Sequence, residues 1–156
     1  MANHAHNPVL AELRERIEQL EGGARRARQV LPFGVTEVDR SLPGGGLAFG
    51  ALHEIAGGGG GTVDGAAAAL FVAGVAARAG GKVLWCMARP DLFFPAVTQA
   101  GLPPDRVVFC ESDREEQVLD AIEQGLSFRG LAVVVGELVR LPMTASRRLQ
   151  LAAEKT

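Results

Sequence analysis

The chain has 156 residues, the size of one ordinary domain, and is 47% hydrophobic and 22% charged, enough apolar material for a core without disulfide or metal staples. Its formal net charge of -2 excludes the strongly basic surface on which generic nucleic-acid coat proteins depend. Two cysteines, Cys86 and Cys110, each inside a short apolar run, read as small buried residues of a reducing compartment, which points to the cytoplasm. No signal peptide and no apolar run long enough to span a membrane are read from the sequence.

Asn7-Pro8 opens the first predicted element, an N-cap followed by proline at the first helical position. Leu10, Leu13, Ile17 and Leu20 then recur at helical spacing, with Glu12, Arg14, Glu15, Arg16 and Glu18 on the other faces. This amphipathic helix ends at Gly22-Gly23 and leads into an arginine-rich linker, Ala24 to Gln29. Residues 1–30 thus form a detached helix and linker, and 31–156 form the core domain. The leucine seam can dock a partner, a second copy or its own domain.

Within the core, Val35 to Leu42 reads as a helical turn before Pro43-Gly44-Gly45-Gly46. Leu52 to Ala56 reads as a strand that runs into Gly57-Gly58-Gly59-Gly60-Gly61. Asp64 to Ala79 is alanine-rich and helical, stopped by Gly80-Gly81. Lys82 to Met87 is a second strand, Asp91 to Ala100 a short helix, and Arg106 to Cys110 a third strand. Ser112 to Gly125 is a helix with Ser112 and Glu115 as a capping box and Val118, Leu119, Ile122 and Leu126 as the buried face. Leu131 to Val135 is a fourth strand, and Thr144 to Glu154 a last helix. Apolar strands alternating with helices predict an α/β fold with a parallel sheet covered on both faces and its site at the carboxyl ends of the strands.

Strand, glycine-rich loop, helix is the layout of a phosphate-binding loop. The candidate loop is Gly57, Gly58, Gly59, Gly60, Gly61, Thr62 and Gly65. A working loop also needs a lysine for the phosphates and a hydroxyl for magnesium. Alignment from Gly57 puts Val63 and Asp64 at those positions; alignment from Gly65 puts Ala66 and Ala67 there. Asp64 adds a negative charge where phosphate would sit. The reading is a repurposed turn with no bound cofactor. A residual ATP-binding switch is the weaker alternative. The three histidines, His4, His6 and His53, have no zinc-type spacing, and no metal site is expected.

Phe33-Gly34-Val35, Glu37-Val38-Asp39, Leu42-Pro43-Gly44-Gly45-Gly46-Leu47 and His53-Glu54-Ile55-Ala56-Gly57 resemble the segment that precedes the phosphate loop in RecA-type recombinases. The likeness extends through Val83 to Met87 and Leu131 to Glu137. Within that superfamily Leu31-Pro32-Phe33-Gly34, His53-Glu54 and Ser146 to Glu154 are similar to the ImuA family, RecA-like accessory proteins of bacterial translesion synthesis. The resemblance implies a RecA-like core and damage-induced expression. Its implied partners are an ImuB-like inactive Y-family polymerase relative and an error-prone polymerase subunit, with RecA or a second copy as further candidates and DNA contact weak or indirect. It also implies further chain after the last helix, so the sequence reads as C-terminally truncated.

Carried over to this chain, the recombinase positions are empty. The loop lysine and hydroxyl are absent, Arg89 stands where a catalytic glutamate follows the second strand, and Gly136 stands where a magnesium-holding aspartate ends the fourth. Glu137 is one residue on, which in a strand places it on the opposite face. No catalytic residue is therefore expected, and the protein is read as a non-enzyme. Its surfaces are the expected working parts: the leucine seam and the last helix around Arg147 and Arg148. A SulA-like division inhibitor acting on FtsZ is the rival reading.

Overall fold

The computed structural model describes Glu12, residues 29–58 and residues 61–155. The leucine seam (Leu10, Leu13, Ile17, Leu20), the linker arginines Arg25, Arg26 and Arg28, and Gly59 and Gly60 lie outside the described residues.

The chain first forms a small hairpin, β1 (Val30–Leu31) antiparallel to β2 (Leu47–Ala48), with Val30 opposite Ala48 and Leu31 opposite Leu47. Between these strands lie helix α1 (Thr36–Ser41) and a 3-10 turn at Pro43–Gly45. This hairpin is not among the predicted elements, because each strand has only two residues. Helix α2 (Thr62–Ala79) leads to β3 (Lys82–Met87), α3 (Phe94–Gln99) to β4 (Val107–Glu111), and α4 (Glu115–Leu126) to β5 (Leu131–Gly136); α5 (Met143–Ala153) follows.

The main sheet is parallel and has the order β4-β3-β5, so the fold is α/β with helices on both faces. Strand β3 is central because nearly every residue in it is apolar and both of its faces are covered. Val83, Trp85 and Met87 face a core built with Ala73 and Ala76 of α2 and Val97 of α3. Leu84 and Cys86 face the other way, toward Val118 and Ile122 of α4 and Leu149 of α5. The alternation along one strand thus assigns α2 and α3 to one layer and α4 and α5 to the other.

Two expectations are corrected. Leu52 to Ala56 forms no strand: residues 52–57 take no regular structure, because no neighbouring strand offers them a ladder. The Leu52 amide is instead satisfied by the Gln150 side-chain oxygen at 2.9 Å, and Leu52 packs beside the α4–α5 core. The Ser112–Glu115 capping box is also absent. Arg114 is the N-cap and gives no side-chain cap. The Ser112 amide donates to Met87 O at 3.1 Å, and Glu115 Oε1 accepts from the Val139 amide at 2.8 Å. Continuing β3 outward consumes the residue that would have capped α4.

Helix α2, at 18 residues and a mean hydropathy of 1.3, is long and apolar enough by length and composition to cross a membrane. Here it lies on the sheet, with Ala73 and Ala76 fully buried. Cys86 and Cys110 are free and sit opposite one another on β3 and β4; burial, then the neighbouring Cys110, pushes the Cys86 thiol up to about 12. A thiol so protonated is a poor nucleophile, which suits a packing role.

Leu149 is 2% exposed and locks α5 onto α4 and the sheet, whereas Leu151 on the same helix is 51% exposed. Leu149→Ala is expected to destabilise the protein by about 3 kcal/mol. Leu151→Ala is expected to change stability by no more than about 0.5 kcal/mol. Urea unfolding of the two variants checks the contrast.

Candidate functional site at the carboxyl ends of the strands

In a parallel sheet the loops after the carboxyl ends of the strands form the binding crevice. Three segments meet that description here: Ala88 to Asp91 after β3, Ser112 after β4, and Glu137 to Arg140 after β5. The glycine loop before α2 is the remaining candidate.

Gly61 is the N-cap of α2, with no side-chain cap bond, and its carbonyl accepts from the Asp64 and Gly65 amides at 3.1 and 3.2 Å. Thr62, Val63 and Asp64 form the first turn. Val63, at the place of a phosphate-binding lysine in one alignment, is 82% exposed and apolar. Asp64 is more telling. A Cβ built on Gly57 would stand 2.5 Å from Asp64 Cβ, so the loop folds against the first turn of α2 more closely than any side chain at position 57 allows. The aspartate puts its own negative charge at the positive end of the helix, where an anion would otherwise bind. Of the loop residues Gly57, Gly58, Gly61, Thr62 and Gly65, Gly57 and Gly61 approach Asp64, whereas Gly58 and Gly65 face open space.

The face assignment at the end of β5 reverses the sequence reading. A Cβ on Gly136 would run into Ile122 Cδ1, so Gly136 faces α4. Val133 and Val135 pack with the α2–α3 core, and Glu137 continues that side. The Glu137 amide donates to Cys86 O at 2.9 Å, and its Oε1 accepts from Trp85 Nε1 at 2.6 Å. It is Gly136 that points away from the layer of the glycine loop, and Glu137 that points toward it. The sequence argument failed because the register was fixed by analogy, and a slip of one residue inverts the face.

Glu137 is also electrostatically distinct. Burial pushes its carboxyl above the usual glutamate range; the Trp85 hydrogen bond opposes the shift, and the charge of Asp91 adds to it. Trp85 lies in the predicted second strand and is fully buried. The indole N–H of a buried tryptophan needs a partner, which was the signal in the sequence for finding the pair. Among the described residues no group of His, Cys, Asp and Glu is arranged to hold a metal ion.

The last helix is less open than expected. Arg148 Nε donates to Glu123 Oε1 at 2.8 Å, and its Nη2 bonds Glu123 Oε2 to complete a bidentate pair between α5 and α4. The pair holds the Glu123 carboxyl below the usual range and the Arg148 guanidinium above its own, with Asp120 adding to the latter. A groove of about 250 Å³ between these helices carries Glu116, Asp120 and Glu123 against the single cation Arg148. That charge balance disfavours phosphate contact at Arg148. Arg147 and Arg148 are both exposed.

The segment Pro32-Phe33-Gly34 is held from two sides. Asp39 accepts from the Phe33 and Gly34 amides at 2.6 and 2.9 Å, while Arg78 of α2 donates to the Pro32 and Phe33 carbonyls. Phe33 stacks on Phe71 of α2 with ring centroids 5.7 Å apart. The resemblance segment thus serves to clamp the N-terminal hairpin region to α2.

These features define an α/β protein with a parallel sheet and a glycine-rich segment leading into its longest described helix. No protein-family model matches the chain. Over 140 residues, 87% of its length, it is 41% identical to Protein ImuA of Caulobacter vibrioides, in two strains. The chain is ImuA-like over that span. It covers 57% of the length of those relatives.

Trp85 is the only tryptophan, so its fluorescence reports the Glu137 pair directly. A carboxyl with a raised folded pKa gives stability that is complete below the unfolded value and lost as pH rises through the folded one. Tryptophan emission should titrate with an apparent pKa above the ordinary 4.5, and Glu137→Gln should remove the transition. Thermal unfolding across pH should show stability falling over the same window in the parent and not in the variant.

Proposed function

We propose that the protein is a non-catalytic accessory of the damage-induced mutagenesis machinery, acting through protein contacts in the cytoplasm. The observation that carries this reading is the 41% identity to Protein ImuA over 87% of the chain. Two site features support it. The first turn of α2 presents Val63 and Asp64, neither of which can hold phosphate or magnesium-bound phosphate as lysine and threonine do. Gly57 also packs closely on Asp64, which brings a carboxylate to the first turn of the helix.

The partners proposed are an ImuB-like Y-family polymerase relative and an error-prone polymerase subunit. Purification of the tagged protein from damage-treated cells of its host should recover one or both. Recovery of FtsZ without a polymerase component would replace this reading with a division inhibitor.

Labelled ATP should show no saturable binding to the purified protein, and Asp64→Asn should gain none of the missing phosphate contacts. Saturable binding, reduced by competing unlabelled ATP, would return the protein to the class of nucleotide-dependent switches.

A further inference from the structure

The two thiols of this chain are neighbours. Cys86 and Cys110 are register partners on the parallel strands β3 and β4, and both are free. Paired positions of adjacent strands present their side chains on the same face of the sheet. Both thiols accordingly belong to the layer of α4 and α5, with Val118, Ile122 and Leu149. The Cys110 thiol acts on Cys86 through its charge and through a hydrogen bond, so the two groups are in contact. Adjacent strands lie about 4.8 Å apart. That spacing falls inside the range of about 4.4–6.8 Å between the Cα atoms of a disulfide.

The two thiols differ in access. Cys86 is 0% exposed, whereas Cys110 is half-buried. Val108, two residues before Cys110 on the same face of β4, is 55% exposed, so that face is open to water beside Cys110. A small dissolved oxidant therefore meets Cys110 and not Cys86. The chain has two cysteines in all, so no third thiol of the same molecule competes for the reaction.

We propose that Cys86 and Cys110 form a reversible oxidation site, in which Cys110 reacts with a hydroperoxide and Cys86 closes a disulfide. In the first step the Cys110 sulfur attacks one peroxide oxygen. The O–O bond breaks, the sulfur becomes a sulfenic acid, and the other oxygen leaves as water or an alcohol. In the second step the Cys86 sulfur attacks the Cys110 sulfur. The S–S bond forms, the S–O bond breaks, and the sulfenic oxygen leaves as water with the Cys86 proton. Both thiols are oxidised and the peroxide is reduced. Burial makes Cys86 a weak nucleophile, and its contact with the acceptor sulfur offsets this through a high effective concentration.

A ladder holds paired side chains near the strand spacing, wider than the mean Cβ separation of about 3.8 Å in a relaxed disulfide. The bridge is therefore strained and easily reduced. It stays open in a reducing compartment and closes under oxidant, as transient disulfides in that setting do. Closure draws β3 and β4 together one residue before their last pair, Met87 and Glu111, where the crevice at the carboxyl ends begins.

The test treats the purified 156-residue protein with hydrogen peroxide under native conditions and then unfolds it for thiol titration. Titratable thiols should fall from two to none, and dithiothreitol should restore both. Mass spectrometry of the unreduced digest should join the Cys86 and Cys110 peptides within one chain. Cys86→Ala should stop at a sulfenic acid on Cys110 that dimedone traps, and Cys110→Ala should leave Cys86 unoxidised. Circular dichroism establishes that both variants fold, and the parent's joined peptides decide the matter if one does not. Survival of both thiols, a bridge between two chains, a bridge formed only in urea, or irreversible oxidation of Cys110 without a bridge would each overturn the proposal.

Discussion

A parallel strand has two faces to bury and two edges to pair, and β3 is the strand of this protein in which all four are satisfied. Val83, Trp85 and Met87 require one layer of helices, and Leu84 and Cys86 require another. Nearly everything else follows from meeting those demands. The alanine-rich stripe of α2 allows close approach to Trp85, α4 and α5 close the opposite face, and β4 and β5 supply the ladders. The outer edges of β4 and β5 have no ladder among the described residues.

At the top of the sheet two carboxylates stand out, Asp64 and Glu137. The glycine loop still runs into the amino end of a long helix, but Asp64 brings its own carboxylate to the first turn, and Gly57 packs against it. Across from it, Glu137 is bonded to the Trp85 indole and partly withdrawn from water. A carboxyl made easier to protonate, and engaged by a tryptophan, is a different device from a solvated carboxylate that coordinates magnesium.

Periodic signals were legible in the sequence. The faces of α2 and α4, the apolar strands β3, β4 and β5, and the glycine stops at Gly80-Gly81 could be read from spacing and composition alone. Pairing-dependent features could not. Leu52 to Ala56 has the composition of a strand, but a strand also needs a neighbour. Ser112 and Glu115 have the spacing of a capping box, but each is taken by a tertiary partner, Met87 O and the Val139 amide. At the site, the loss of lysine and threonine could be read directly, whereas the facing of Gly136 and Glu137 depended on a register that only the packing of Ile122 settles. Arg148 looked like a free cation because its partner, Glu123, lies 25 residues away in the sequence.

The proposed accessory role makes the presence and the surfaces of the protein, and not chemistry at this site, what matters to the cell. Damage-induced mutation frequency in the host measures this most directly, comparing the parent, a deletion strain, and the deletion strain carrying Glu137→Gln. The account expects the deletion to lower the frequency and the Glu137→Gln protein to restore it fully. An unchanged frequency in the deletion strain would contradict the role in mutagenesis, and failure of the variant to restore it would contradict the claim that no chemistry is done at this site.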